Sequence, residues 1–410
     1  MKILMVNKFH YLKGGSEKYY FELAKLLREK GHEIAFFSMQ NEKNIKTDCK
    51  EYFVDNIDLN SNNKAKALEV IYSKQNKIKM QEALEDFKPD IIHINNFQRQ
   101  LSSSIIEAIK EKNIPIVFTA HDVQAICPAI TMLDNEKNIC EKCKKGKYIN
   151  CIKKKCVKDS TLKSILGAIE GYYYRYKKIY TKKIDYIITP SEFYKQKLVE
   201  DGIPEEKIEA IHNFVELEEY DIDTQDDGYA LYFGRLSKEK GILNLIEAFS
   251  KIKTGTLYIA GEGPEKENIE KIIKENNLSE RIKLLGFLKS DEMKKYISKC
   301  KFVVVPSIWY ENCPYSVMET LAIGKPVLGA DIGGIPELVK NNENGLTYKY
   351  DSVEDLTEKI QKMFEDDKLT EEMGQNAKEN AKKLYSKEIH YDKIIKIYEK
   401  LLESKKEDFK

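Results

Sequence analysis

Two apolar periodicities alternate along the chain. Residues 2–7 form a short unbroken apolar run, the pattern of a strand buried on both faces, and "GGSE" at 14–17 follows as a loop. Tyr20, Leu23, Ala24 and Leu27 then return at helical spacing, which predicts an amphipathic helix stopped by Gly31. "HEIAFFS" (32–38) reads as a second strand and completes a strand–helix–strand unit. The same grammar recurs later: strand "YALYFG" (229–234), a loop ending at Gly241, a helical stripe of Ile242, Leu245, Ile246 and Phe249, and strand "TLYIAG" (256–261). Further buried strands are expected in "KPDIIHINN" (88–96), "IPIVFTAHD" (114–122), "DYIITPSEF" (185–193), "KLLGFL" (283–288), "KFVVVPS" (301–307) and "KPVLGA" (325–330).

Strands alternating with helices throughout predict an α/β fold in which helices cover both faces of parallel sheets. At 410 residues, 42% of them hydrophobic, the chain fits two cores better than one. The acidic, apolar-poor stretch "VELEEYDIDTQDDG" (215–228) is the expected linker between two doubly wound domains. Ligands of such sheets sit beyond the carboxyl ends of the strands.

Charge narrows the partners. With 68 basic and 67 acidic side chains the formal net charge is +1, so no global field points to nucleic acid. The start "MKILMVNKFH" lacks the pattern of a secretory signal, and no window offers about twenty apolar residues. A cytoplasmic protein is expected. Its eight cysteines should then be reduced thiols or metal ligands.

Two motifs carry candidate chemistry. In "FGRLSKEKG" (233–241) Arg235 follows a strand and Lys240 precedes a helix. A guanidinium, an ammonium and a helix start together fit a diphosphate, although a solvated loop would have the same composition. In "PSIWYENCPYSVMETLAIG" (306–324) a strand ends, a loop carries Glu311, and Pro314 opens a helix that holds Glu319 and ends at Gly324. The N–H groups of Tyr315, Ser316 and Val317 would be unpaired donors between the two carboxylates. Alternatively, Glu311 merely complements the helix dipole and Glu319 is a surface residue.

"GRLSKEKG" followed by "PSIWYENCPYSVMETLAIGKPVLGADIGGIPELV" resembles the retaining family-4 glycosyltransferases of the GT-B fold, with their E-x7-E motif. "GGSEKYYFELAKLLREKGHEIAFFS" is similar to that family's opening, and "PSEFYKQKLVEDGIPEEKIEAIHNFVE" to its domain crossover. The resemblance implies two Rossmann-like domains facing a central cleft. Residues 1–215 would face the acceptor, residues 216–387 would bind the nucleotide sugar, and a final helix at about 388–410 would pack back on the first domain. It implies that Arg235 and Lys240 hold the donor diphosphate, Glu319 the ribose hydroxyls and Glu311 the sugar ring. Asn312, Cys313, Pro314, Tyr315 and Ser316 would contact phosphate and sugar, and Phe287 would flank the base. Gly14 and Gly15 would let the first loop approach the phosphates because no Cβ blocks it. His121 matches the family's histidine near the donor sugar, brought there by hinge closure; taken alone, its His-Asp pair also fits a structural role. The implied reaction moves a sugar from a UDP- or GDP-sugar to a glycan or lipid-linked hydroxyl, in bacterial surface polysaccharide synthesis, with no cofactor required for transfer.

One segment lies outside the generic pattern. The insert at about 127–158 holds five cysteines, and Cys140, Cys143, Cys151 and Cys156 form the spacing C-x2-C and C-x4-C, which predicts a structural zinc with Cys127 as an alternative ligand. Its Lys142, Lys144, Lys145, Lys147, Lys153, Lys154 and Lys155 could attract a lipid-linked phosphate or an anionic membrane, giving peripheral contact at the inner face. "IEGYYYRYKKIYTKK" (169–183) continues this character, though a half-buried helix explains it better than an interfacial one. Competing readings fare less well. A nicotinamide dehydrogenase wants G-x-G-x-x-G after a strand, which neither half has. The "DID" of a metal-dependent transferase falls at 221–223 in the linker. A scaffold would need neither the basic pair nor the glutamates, so a GT-B-type epimerase or phosphorolytic enzyme is the serious alternative.

Overall fold

The computed structural model describes residues 1–56 and 69–408. The chain divides into two compact units, Met1–His212 with His390–Lys410, and Asn213–Ile389. The first is built on seven strands: β1 (Lys2–Val6), β2 (Glu33–Met39), β3 (Lys50–Val54), β4 (Ile91–Ile94), β5 (Ile116–Thr119), β6 (Tyr186–Thr189) and β7 (Ile208–Ala210). They lie in the order β3-β2-β1-β4-β5-β6-β7 and every neighbouring pair is parallel. The second unit has β8 (Tyr229–Phe233), β9 (Thr256–Ala260), β10 (Ile282–Gly286), β11 (Phe302–Val305), β12 (Val327–Ala330) and β13 (Gly345–Tyr348), in the order β10-β9-β8-β11-β12-β13 and again all parallel. Each unit is thus doubly wound, as the alternating periodicities predicted.

The central strands form because their apolar runs bury both faces: Ile3 to Val6, Ile91 and Ile92, and Phe302 to Val304 are essentially inaccessible. Parallel neighbours need long crossovers, and helices supply them. The helix Gly15–Glu29 turns Tyr19, Tyr20, Leu23, Ala24 and Leu27 into the core and stops before Gly31, whose φ is +85°. In each sheet the winding reverses beside its first strand, between β1 and β4 and between β8 and β11. A crevice opens at such a reversal, where the two flanking loops leave in opposite directions.

Three strands escaped the sequence reading. β3, β7 and β13 are all sheet edges, short and partly polar. The acidic stretch 215–228 is also more ordered than a bare linker: Leu217–Tyr220 forms a helical turn, Tyr220 is buried, and Asp221 pairs with Lys378 at 2.8 Å.

The final helix, Lys387–Asp408, contributes to the first core through its later residues. Ile394, Ile397 and Tyr398 are buried, and the Tyr398 hydroxyl bonds His93 on β4. Within 169–183 the ordinary reading of the aromatic run fits the packing: Tyr174, Ile179 and Tyr180 are buried, leaving Tyr172 and Tyr176 exposed.

Candidate active site

In the second unit the loops after β8 and β11 meet at the reversal. Beyond β8, the Tyr232 hydroxyl donates to the Arg235 carbonyl at 2.8 Å, and the Leu236 N–H donates to the Glu262 carbonyl at 2.9 Å. Arg235 is held with its side chain exposed and without a hydrogen bond or ion pair among the described residues. Lys238–Lys240 makes one tight turn ending at Gly241, whose φ is +68°. A Cβ there would lie 1.7 Å from the Pro306 carbonyl oxygen just beyond β11, and the Ile308 N–H donates to the Glu239 carbonyl at 3.0 Å. The two loops therefore touch backbone to backbone. Gly241→Ala should lower stability by about 3 kcal/mol or more, through strain and displacement of the loop; a melting curve matching that of the unmodified chain would refute this contact.

That contact seats Lys240 against Glu311. The Lys240 ammonium lies 2.6 Å from Glu311 Oε1, which also accepts from Ser307 Oγ at 2.7 Å and Trp309 Nε1 at 2.8 Å. Lys240 Nζ sits 5.1 Å from the centre of the Trp309 ring. Burial pushes the Glu311 carboxyl pKa up, but Lys240, Ser307 and Trp309 outweigh it and hold the carboxyl below its usual range. Glu311 is therefore an ionised, buried anchor and not a loose complement to the helix dipole. Its backbone is fixed too: its carbonyl accepts from the Gly334 N–H at 2.8 Å, and a Cβ on Gly333, at φ +61°, would strike it.

The helix Tyr315–Ile323 starts after Pro314 and ends at Gly324, φ +91°. One of its expected free donors is occupied, because the Val317 N–H donates to the Pro314 carbonyl at 3.1 Å and closes a tight first turn. Asn312 and Ser316 are half-buried, while Cys313 is buried with its carbonyl accepting from Asn213 Nδ2 at 3.4 Å. Glu319 is half-buried in the second turn. Phe287 follows Gly286 and is 76% exposed, which leaves its ring available as a stacking surface. Lys240, Ser307, Trp309 and Glu311 thus form one contact group; Ser307 and Trp309 had not been assigned roles.

The first unit gathers a second polar group at the ends of β1, β4 and β5. Asn7, Asn95 and Asn96 are buried, and the Asn96 N–H donates to Asn7 Oδ1 at 3.1 Å. His121 Nε2 lies 2.9 Å from Asn95 Oδ1, and its ring meets Tyr19 edge-on with centroids 4.9 Å apart. The Tyr19 hydroxyl in turn contacts His390 Nε2 at 3.0 Å. Burial lowers the pKa of His93, His121 and His390 to about 3, so all three rings are neutral near neutral pH. Nearby, buried Glu170 accepts from the Arg99 N–H at 3.0 Å and from Gln124 Nε2 at 3.1 Å. Sequence reasoning missed Asn95, Arg99 and Glu170; the polar run "NNFQRQ" directly after the apolar "DIIHI" was the available signal. Gly14 is exposed with extended backbone, and an added Cβ would make only an ordinary contact with Glu17. Nothing in the local fold requires glycine there.

The zinc expectation needs correction. Among the described residues no group of three or more His, Cys, Asp or Glu side chains is arranged to hold a metal ion. Cys127 and Cys151 are buried as small apolar groups, Cys140, Cys143 and Cys156 are half-buried, and none is in a disulfide. Burial pushes the Cys143 thiol to about 12 and Cys127 to about 11. Cys151 instead hydrogen-bonds Cys156, lowering the latter to about 7. Two of the insert's lysines are also neutralised locally: Lys144 by Glu141 and Glu200, and Lys154 by Asp134. No helix among the described residues is long and apolar enough to cross a membrane.

Comparison with known proteins matches these elements to one family. Residues 13–219 fit the sequence profile "Glycosyltransferase Family 4", and residues 218–380 fit "Glycosyl transferases group 1". An uncharacterized glycosyltransferase of Methanocaldococcus jannaschii is 33% identical over 57% of this chain and 64% of its own length. The N-acetylgalactosamine-N,N'-diacetylbacillosaminyl-diphospho-undecaprenol 4-alpha-N-acetylgalactosaminyltransferase of Campylobacter jejuni is 34% identical over 49% of this chain and 56% of its own length. The chain thus spans less than two thirds of either relative. Anabaena HepE, solved in complex with UDP and glucose, superposes with a TM-score of 0.70 at 18% identity, covering 98% of this chain and 100% of that one, and shares the GT-B fold. With the profile covering half of it and two doubly wound parallel sheets, the chain belongs to glycosyltransferase family 4.

Proposed function

We propose that the protein is a retaining glycosyltransferase that moves a sugar from a nucleoside diphosphate sugar to a hydroxyl of a glycan or lipid-linked acceptor, in bacterial surface polysaccharide synthesis. The observation that carries this reading is the 2.6 Å Lys240–Glu311 contact beside the exposed Arg235, at the carboxyl ends of β8 and β11. An ammonium has three donors, and Glu311 takes one of them. The others, with the Arg235 fork, suit diphosphate oxygens.

Residues 216–387 are the nucleotide-sugar domain and residues 1–215 the acceptor-side domain. Glu311 binds the sugar ring, Glu319 the ribose hydroxyls, and Phe287 flanks the base. The backbone of Asn312, Cys313, Pro314, Tyr315 and Ser316 lines the phosphates and sugar, while Gly14 and Gly15 allow close approach of the first loop. His121 is the acceptor-side domain's contribution to the reaction. The bond from the anomeric carbon to the diphosphate breaks with its electron pair going to the phosphate. The acceptor oxygen bonds to the same face of that carbon, and its proton passes to a departing phosphate oxygen. Arg235, Lys240 and the helix start stabilise the charge growing on the leaving group. A UDP- or GDP-sugar donor and a lipid-linked acceptor complete this reading; UDP agrees with the ligands of HepE, and the lipid-linked acceptor with the name of the Campylobacter relative.

A thermal-shift screen of UDP-, GDP- and ADP-sugars should identify one donor class by a clear rise in melting temperature. Turnover of that donor should survive a chelator, because the chain's own cations do the electrostatic work. No shift with any donor would overturn the reading. We place the reaction in the cytoplasm, with Lys142, Lys145, Lys147, Lys153 and Lys155 of the insert touching the inner membrane face; sedimentation with anionic liposomes at the level seen with neutral ones would remove that contact.

A further inference from the structure

The first unit holds an arrangement whose purpose the fold alone does not explain. Asn95 is fully buried directly beyond β4, its N–H donating to the Val6 carbonyl at 2.8 Å, so its backbone is fixed by the sheet. Its Oδ1 faces His121 Nε2 at 2.9 Å, while its Nδ2 is buried without a hydrogen-bond partner among the described residues. A buried amide with one idle half weakens a fold, and an apolar residue of similar volume would avoid the cost. What the polar side chain does supply is an acceptor that a neutral imidazole can meet only with Nε2–H.

We propose that Asn95 is a positioning residue for His121, fixing its ring as the Nε2–H tautomer so that Nδ1 is its acceptor nitrogen. This rests on the reading of His121 as a site residue. An acceptor nitrogen is what a histidine needs in order to receive a hydrogen bond from a sugar hydroxyl; the other tautomer would present a donor in its place. Burial first, and His390 after it, keep the ring neutral. Tyr19 packs on it from the helix Gly15–Glu29, and buried neutral His93 and His390 approach from β4 and the final helix. Asp122 is its neighbour in the chain.

The test is ring nitrogen NMR on the full chain labelled at its six histidines, with His121 assigned by loss of its signals in His121→Gln. In the unmodified chain, Nδ1 should show the shift of an unprotonated nitrogen, unchanged between about pH 5.5 and 8. Asn95→Ala should mix the two tautomers. Asn95→Asp should place a carboxylate against Nε2 and make the ring doubly protonated within that pH window. Kinetically, Asn95→Ala should lower kcat at least about 10-fold with KM for the donor unchanged, and Asn95→Asp should add an acid limb to the pH profile. A His121 signal in Asn95→Ala identical to that of the unmodified chain overturns the proposal. If His121→Ala retains full turnover, the underlying reading fails instead, and the tautomer result still stands or falls on its own.

Discussion

Replacing Lys240 by alanine should lower turnover about 1,000-fold, the scale seen when one preorganised donor to a developing anion is removed. Two losses combine here: a cation leaves the diphosphate, and Glu311 loses the partner closest to Oε1, 2.6 Å away. The second loss has a signature in stability. In the unmodified chain Glu311 has a lowered carboxyl pKa, so its contribution is present above the unfolded carboxylate pKa and fades as pH falls through the folded value. Without Lys240, burial dominates and the folded pKa rises above the unfolded one, so the sign reverses: the variant should gain stability on acidification from about pH 7 to 5 relative to the unmodified chain. Arg235→Ala provides the contrast. Its side chain has no internal partner among the described residues, so turnover should fall about 100-fold with the melting temperature unchanged. Lys240→Arg keeps charge but not the compact ammonium, and should recover only part of the activity. Full activity in Lys240→Ala would sink the assignment.

The parts of this structure that were legible in the sequence are those where one physical requirement dominates. β1, β4, β8 and β11 are sealed on both faces, so their runs are unbroken and their loops, with the candidate residues, could be placed beyond them. The edge strands β3, β7 and β13 have one open side; "KEYFV", "IEA" and "GLTY" lack the apolar density that marks a strand. Within the site, residue types could be read but contacts could not. Lys240 and Glu311 are 71 positions apart, and it takes the fold, with Gly241 against Pro306 and the Ile308 N–H on the Glu239 carbonyl, to show that their loops touch. The cysteines fail for a related reason. Spacing of the C-x2-C kind records which thiols are near in sequence, whereas metal binding depends on how they are arranged in space, and among the described residues no such group is arranged to hold a metal ion. Asn95 shows the limit most plainly: in "HINN" it is one more polar residue after a strand, and its relation to His121 depends on β4 and β5 being neighbours.

Glu311→Gln should separate recognition of the sugar from recognition of the diphosphate. Glu311 Oε1 is committed to Lys240, Ser307 and Trp309 at 2.6–2.8 Å, so the carboxylate is locked in one rotamer before any ligand arrives. The amide keeps nearly the same shape but loses the charge, and a sugar hydroxyl then meets a neutral group or a donor in place of a charged acceptor. Calorimetry should show the nucleotide sugar binding about 100-fold more weakly, two charge-assisted hydrogen bonds at roughly 1.5 kcal/mol each, while the nucleoside diphosphate stays within about 3-fold. Glu319→Gln should weaken both ligands by the same factor, about 10-fold, since ribose is common to them. Glu311→Asp retains the charge one methylene short, too short to reach all three internal donors, so it should bind the donor no better than the glutamine variant. Equal weakening of sugar nucleotide and nucleoside diphosphate in Glu311→Gln would mean that the carboxylate acts only by holding Lys240 in place. The sugar contact would then have to be sought elsewhere in the loop that Ser307 and Trp309 define.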